Sequence, residues 1–419
     1  MKVKHICFIV PNYPTKDDPV YTFVRQLVVS IADLGYQCSV IAPQSITSNL
    51  VKKMKKRPVF WQDITQNGSK IDVYQPEVMS FSNLKFRGAD VSERLLQKSV
   101  IKTFDKISNR PDVIYGHFWH SGVTAGIISK KFDIPFFVAT GESNIWVKKL
   151  YNQPTIDFAL ENISGVICVS SKNKVESMAL GLAAEAKMIV LPNAIDANQF
   201  YKMSQNEARK KLDFSQDDFI VAYAGEFSHR KGIKRLSEAI KKLGMIKAIY
   251  IGDGDLKPQG DEILFQGKLP HDELVSYLNC ADVFVLPTLA EGCCNAIIEA
   301  MACGLPIISS ELSFNDDLLT DLNSIRINSM DVDAIASAIQ SLYEDRVRCK
   351  EMGEQSYNHA KLFEINTRAV NVMSFINQKI EENIGVEIKV KIEEQKDAEI
   401  MDKYNVDFTS NHTTGDIGT

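Results

Sequence analysis

The sequence predicts an α/β protein built of two Rossmann-like, doubly wound parallel-sheet domains that face a central cleft. Three observations carry this expectation. Short apolar runs alternate with helical patterns from the first residues onward, as a parallel sheet wrapped by helices requires. The same scheme starts afresh at Asp218. With 419 residues, 45% of them hydrophobic, the chain is long enough for two cores.

In chain order, Lys4 to Val10 reads as a strand, Phe23 to Leu34 as a helix, Gly35 as the turn and Gln37 to Ala42 as the next strand. A long irregular region runs from about Pro43 to Ser92. Strands Asp112 to Tyr115, Pro135 to Thr140, Gly165 to Ser170 and Met188 to Leu191 then complete a first domain, residues 1–195. The second domain, residues 196–371, takes its strands from Phe219 to Ala224, Ile246 to Ile251, Ile263 to Gln266, Ala281 to Leu286 and Pro306 to Ser309. Residues 372–419 read as a C-terminal helix and a charged tail too poor in large apolar groups to fold alone.

Charge is split unevenly along the chain. Residues 1–195 hold 24 Lys and Arg against 16 Asp and Glu, a balance of +8, and the remainder stands at −13. The first domain is therefore expected to face something anionic, such as lipid phosphates or a pyrophosphate-linked acceptor; no nucleic-acid module signature is present. Basic and aromatic side chains interleave at Lys52 to Trp61, and again at Trp146, Lys148 and Lys149, a pattern that suits an anionic membrane surface as well as a solvated loop. No run approaches a membrane span and Met1 to His5 leads straight into a strand, so a cytoplasmic protein is expected, peripheral at the inner face of the plasma membrane if the basic clusters act. Eight cysteines without a Cys-x-x-Cys pair read as reduced core residues.

The chemistry concentrates in Pro287-Thr-Leu-Ala-Glu291-Gly-Cys-Cys-Asn-Ala-Ile-Ile-Glu299, where a strand passes into a helix that Gly304 stops. The first turn of a helix leaves backbone N–H groups unpaired. Gly292, Cys293, Cys294 and Asn295 can therefore present donors and a positive dipole end to a diphosphate, with no metal needed. A carboxylate at each extremity, Glu291 and Glu299, suits hydroxyl pairs of a sugar and a ribose, about 12 Å apart if the segment were wholly helical. Upstream, Gly225-Glu226-Phe-Ser-His-Arg230-Lys231-Gly232 places cations beside glycine-rich backbone after a strand, as the growing charge of a leaving diphosphate requires.

These segments resemble the Glu-x7-Glu motif and the Gly-Arg-Leu-x-x-x-Lys-Gly loop of retaining glycosyltransferases of family 4, with the GT-B fold. The likeness extends over roughly residues 3 to 375, and Leu191-Pro-Asn193-Ala194-Ile-Asp196 resembles the family hinge. The resemblance implies that Lys231 neutralises the leaving diphosphate; since Glu226 stands where the family has arginine, either Arg230 supplies the second positive charge or the phosphate is held differently. It implies that Glu291 holds the sugar and Glu299 the ribose. Gly252, in Gly252-Asp-Gly254, is expected beside the nucleoside, and backbone at Lys268 and Leu269 at the base edge. In the first domain His117 keeps the second histidine of a family His-x-His, and Glu142 occupies the place of a histidine that faces the reacting sugar. Glu142 is expected to position or deprotonate the acceptor hydroxyl, to stabilise the cationic character developing at the anomeric carbon, or else to cap the helix beyond it. The loop Pro11 to Phe23 lacks the family's glycine pair.

The expected function is transfer of a sugar, with retention, from a nucleotide-sugar to a glycan or lipid-linked saccharide acceptor in surface polysaccharide (capsule or exopolysaccharide) synthesis. No cofactor and no metal are expected, and a UDP-sugar is expected ahead of a GDP-sugar. A nucleotide-sugar epimerase on the same fold and a non-catalytic partner subunit are the alternatives.

Overall fold

The computed structural model describes residues 3–15, 21–47, 56–81, 85–86, 89–270, 272–383 and 385. Lys16 to Val20, Lys52 to Lys55, His271 and the tail from residue 386 lie outside the described residues. The N-terminal sheet contains β1 (His5–Ile9), β2 (Gln37–Ile41), β3 (Phe60–Ile64), β4 (Lys70–Tyr74), β5 (Val113–His117), β6 (Phe136–Thr140), β7 (Gly165–Cys168) and β8 (Met188–Val190). Their spatial order is β8-β7-β6-β5-β1-β2-β4-β3, parallel throughout except for the antiparallel edge strand β3. The second sheet contains β9 (Phe219–Ala224), β10 (Ile246–Ile251), β11 (Ile263–Gly267), β12 (Val283–Leu286), β13 (Ile307–Ser310) and β14 (Ser324–Ile327), in the order β11-β10-β9-β12-β13-β14.

The central strands form where the sequence is apolar without alternation, because helices cover both of their faces. His5–Ile9 and Phe219–Ala224 are buried at every position. The covering helices show the complementary period. Helix Thr22–Asp33 buries Val24, Leu27, Val28 and Ile31, and helix Ile233–Leu243 buries Ile233, Leu236 and Ile240. Strands β3 and β4 lie in the stretch expected to be irregular. Their exposure alternates and they carry Asp63 and Asp72, so no apolar run betrays them.

One segment crosses back between the lobes. Residues 365–383 are helical, and Ile365, Ala369, Val372, Phe375 and Ile376 pack into the N-terminal core with Phe8, Val28 and Tyr115. This helix thus begins before residue 372 and belongs to the first lobe's packing. The outgoing and returning chains meet at the hinge, where Ile195 donates to the Phe363 carbonyl at 2.9 Å and accepts from the Ile365 N–H at 2.9 Å. Arg368 donates to the carbonyls of Leu191 and Pro192 beside them. All eight cysteines are free, and no helix among the described residues is long and apolar enough to cross a membrane.

Each sheet reverses its order beside a central pair, β5 with β1 in the first and β9 with β12 in the second. Loops leaving the carboxyl ends of such a pair diverge to opposite faces and open a crevice, the usual ligand position in open α/β sheets.

Candidate active site

In the second sheet the loop after β9 carries Arg230 and Lys231, and the loop after β12 carries Glu291, so the reversal itself brings them together. Lys231 Nζ stands 2.7 Å and Arg230 Nη1 3.0 Å from Glu291 Oε1, and the Thr288 hydroxyl donates to the same oxygen at 2.7 Å. Oε2 takes none of the three. Glu291 lies in the loop and not on the helix, so the axial spacing estimated for a continuous helix does not apply; only Glu299 sits on helix Asn295–Ala302, half-buried.

Burial alone would lower the Lys231 pKa, but the pull of Cys294 and Glu291 and the Glu291 hydrogen bond outweigh it and leave the ammonium above its ordinary value. Lys231 therefore stays charged. Arg230 Nη2 also stands 3.9 Å from the Glu226 carboxylate, and the two cations lie beside the start of helix Asn295–Ala302, whose N-cap, Cys294, supplies no side-chain cap. The Cys294 thiol is pushed up to about 11 by burial, against the lowering effect of Lys231, and Cys293 to about 12 by burial, so both are neutral packing groups.

Two residues that sequence reasoning did not select hold this loop pair. Thr288 is fully buried, and its hydroxyl fixes Glu291. Arg235 donates to the carbonyls of Pro287 (2.9 Å), His229 (3.0 Å) and Ser329 (2.6 Å), tying the two loops to a third. Thr and Arg in such positions have no signature of their own. Gly232 was legible, and its reason is now plain. At φ 81° its absent Cβ would stand 2.3 Å from the Pro287 carbonyl oxygen.

Gly225 and Gly252 end neighbouring strands, and a Cβ on Gly252 would stand 1.9 Å from the Gly225 carbonyl oxygen. Beside them a half-open depression of about 270 Å³ is lined by Phe227, Gly252, Asp253, Lys257, Gln266 and Lys268. Lys268 is exposed, 3.4 Å from Asp253, and Leu269 is half-buried next to it. The expected nucleoside positions therefore adjoin one hollow.

On the facing lobe Glu142 Oε1 accepts from the Trp119 N–H at 2.7 Å, and Oε2 accepts from the Thr140 hydroxyl at 2.7 Å and the Gly141 N–H at 2.9 Å. Glu142 thus caps the first turn of the preceding helix, Trp119–Phe132, and not the helix beyond it, Val147–Leu150, which has no side-chain cap. Proton transfer at Glu142 calls for these donors to release it. His117, at the carboxyl end of β5, is buried, and its Nε2 has no partner among the described residues. Burial, then the Arg368 and His120 charges, push its pKa down to about 3, so the imidazole is neutral.

The lobes touch at the site. The absent Cβ of Gly292 would lie 2.0 Å from the Gly141 carbonyl oxygen, and Asn193 Nδ2 donates to Asn295 Oδ1 at 2.8 Å. Farther out, the Ser171 N–H and hydroxyl both donate to the Asp317 carboxylate, each at 2.6 Å.

Comparison with known proteins agrees with this geometry. The Glycosyltransferase Family 4 model matches residues 20–199, and the Glycosyl transferases group 1 model matches residues 204–359. A Bacillus subtilis glycosyltransferase, TuaC, whose name places it in teichuronic acid biosynthesis, is 29% identical over 84% of this chain and 92% of its own length. An Escherichia coli UDP-Gal:alpha-D-GlcNAc-diphosphoundecaprenol alpha-1,3-galactosyltransferase is 25% identical over 60% of this chain and 71% of its own. Among solved structures, Anabaena HepE in complex with UDP superposes with a TM-score of 0.66 at 17% identity, over 90% of this chain and 100% of HepE. Two sheets of this topology, the charged loops at their junction and both family matches make this chain a member of the family 4 glycosyltransferases with the GT-B fold.

Proposed function

We propose that this glycosyltransferase takes a sugar from a nucleoside diphosphate held in the C-terminal lobe and passes it, with retention, to a glycan or lipid-linked saccharide presented by the N-terminal lobe. The observation that carries this is the convergence of Lys231 and Arg230 on one oxygen of Glu291. Two cations beside an open helix start make an anion site, and a diphosphate that gains charge as its sugar bond breaks is the ligand for which such a site does most.

In this scheme Lys231 and Arg230 hold the diphosphate, and the N–H groups of Gly292 to Asn295 complete its cradle. Glu291 Oε2 accepts sugar hydroxyls, Glu299 accepts the ribose hydroxyls, and the hollow beside Gly252 and Lys268 takes the base. With its other oxygen tied to three donors, Glu291 is a hydroxyl acceptor and not a nucleophile. Retention then calls for attack from the face of the departing phosphate, which needs no metal. The contact between Gly141 and Gly292 excludes water from the donor. His117 and Glu142 shape the acceptor side.

A uridine nucleotide is favoured, because HepE was solved with UDP and the Escherichia coli relative is named for UDP-Gal. That relative's diphosphoundecaprenol acceptor and TuaC's naming support a role in surface polysaccharide synthesis. Exposed Trp146, with the Lys149 ammonium 3.7 Å over its ring, supports peripheral contact with an anionic leaflet.

Thermal shift against UDP, GDP and ADP tests the donor. UDP at ~100 times its dissociation constant stabilises by about 2.7 kcal/mol. A larger response to GDP or ADP would overturn the uridine assignment, and no response to any of the three would remove the site altogether.

A further inference from the structure

The N-terminal sheet ends in β3, whose outer edge pairs with no strand among the described residues. The Gln75 N–H donates to the Val59 carbonyl at 2.7 Å and the Thr65 N–H to the Ser69 carbonyl at 2.9 Å, which fixes the phase of the β3–β4 ladder. Residues 59, 61, 63 and 65 turn their backbone groups toward β4. The N–H and C=O groups of Phe60, Gln62 and Ile64 therefore point outward.

An open edge invites pairing, and proteins blunt the edges they do not use. The other three sheet edges are short, irregular or charged. β8 has three residues, β11 joins its neighbour through a register shift at Ala248 and Ile249, and β14 carries Arg326, ion-paired to Asp316 at 2.7 Å. β3 contains no lysine, proline, glycine or bulge. Its large apolar side chains face solvent: Val59 is 53%, Phe60 51% and Ile64 59% exposed. Its one charge, Asp63, points inward, where Arg25 holds both carboxylate oxygens at 2.7 and 2.9 Å.

This edge fits a second copy of itself. Antiparallel pairing about a two-fold axis at Gln62 sets Phe60 opposite Ile64 of the other copy, and Ile64 opposite Phe60, with the two Gln62 residues face to face. These are the residues whose backbone groups point outward, so the same register that satisfies them covers both exposed apolar side chains. Charge agrees with the axis. Arg57, which precedes the strand and donates to Asn12, comes to face the turn Thr65–Ser69 of the other copy. There Asp33 accepts from the Thr65 hydroxyl at 2.6 Å and from Asn67 at 3.0 Å. Lys70 and Asp72 lie one strand in and meet no like charge directly across the seam.

We propose that β3 is the seam of a homodimer, in which two copies join antiparallel about Gln62 and their eight-stranded sheets become one. A seam of five residues a side is smaller than a standard interface of about 800 Å² per partner, so the association is reversible and depends on concentration.

Sedimentation of the full chain over a wide range of concentration tests it, with the mass expected to rise from 47.0 kDa toward twice that value. Ile64→Lys sets an ammonium against Phe60 of the other copy at both ends of the seam, and the dissociation constant is expected to rise by about tenfold or more. The substituted side chain stays exposed in the monomer, so its melting temperature is expected to hold. Phe60→Glu weakens the dimer in the same way. The double variant, Phe60→Glu with Ile64→Lys, restores an attractive pair at each position and is expected to associate more tightly than either single variant. A monomer at every concentration, a dimer indifferent to Ile64→Lys, or a double variant no tighter than the single ones would each overturn the seam.

Discussion

The two lobes have the same architecture and reverse their sheets in the same way, yet one crevice is ionic and the other aromatic. In the C-terminal lobe Lys231, Arg230, Glu291 and Thr288 form a charged knot whose members fix one another. In the N-terminal lobe Tyr21, Phe118 and two histidines pack together, and a nearby carboxylate, Glu142, is turned onto backbone N–H groups. A single topology thus positions loops without dictating their chemistry.

The contrast breaks most severely at Lys231. Lys231→Ala removes the ammonium proposed to hold the departing phosphate, and turnover is expected to fall about 10²–10³-fold with the fold kept, measured as sugar transfer or donor hydrolysis. Retained turnover would mean that the ionic crevice is only structural. Thr288→Val is next. It strips a buried carboxylate of one donor, at a cost of about 1–3 kcal/mol in denaturant unfolding, and an unchanged midpoint would show that Lys231 and Arg230 fix Glu291 unaided.

The aromatic side is sharpened by pH. His117 titrates near 3 in the folded protein against an ordinary 6.5, so the unfolded chain takes up its proton first. Stability is therefore full above the unfolded value and is lost as pH falls toward the folded one, by up to about 1.4 kcal/mol per pH unit for one such group. His117→Phe is expected to flatten the decline in melting temperature between about pH 7 and about pH 5. An equally steep decline in that variant would assign the titration to other buried groups. The smallest effect is expected at the clasp between the lobes. Asp317→Ala removes a cap from helix Ser171–Ala179, worth about 1 kcal/mol, and is expected to raise the rate of donor hydrolysis as the cleft opens more often.

How far the sequence reached follows from burial. β1, β5, β9 and β12 were legible because they are buried at every position and carry mostly apolar runs. Phe60–Ile64, Lys70–Tyr74 and Ser324–Ile327 were not, since each is short and mixes buried positions with partly or wholly exposed ones. Lys231, Arg230 and Glu291 were legible because charges between glycines at strand ends have few structural uses. Thr288 and Arg235 act on backbone and carboxylate partners from distant segments, which no local pattern encodes. The fate of Glu142 turned on whether the Trp119 N–H stood within reach, a matter of tertiary geometry alone.

The returning helix, residues 365–383, has a further consequence. Because it completes the first lobe's core, the second lobe is an insertion: the chain leaves at Ile195 and comes back at Ile365 to pair with the residue it left from. A chain cut at residue 195 would expose the apolar floor that Ile365, Ala369 and Phe375 cover, whereas the intervening lobe has neighbouring ends and a core of its own. The half proposed to bind the nucleotide is thus the separable one, and the half proposed to meet the acceptor is whole only after synthesis has passed through its partner.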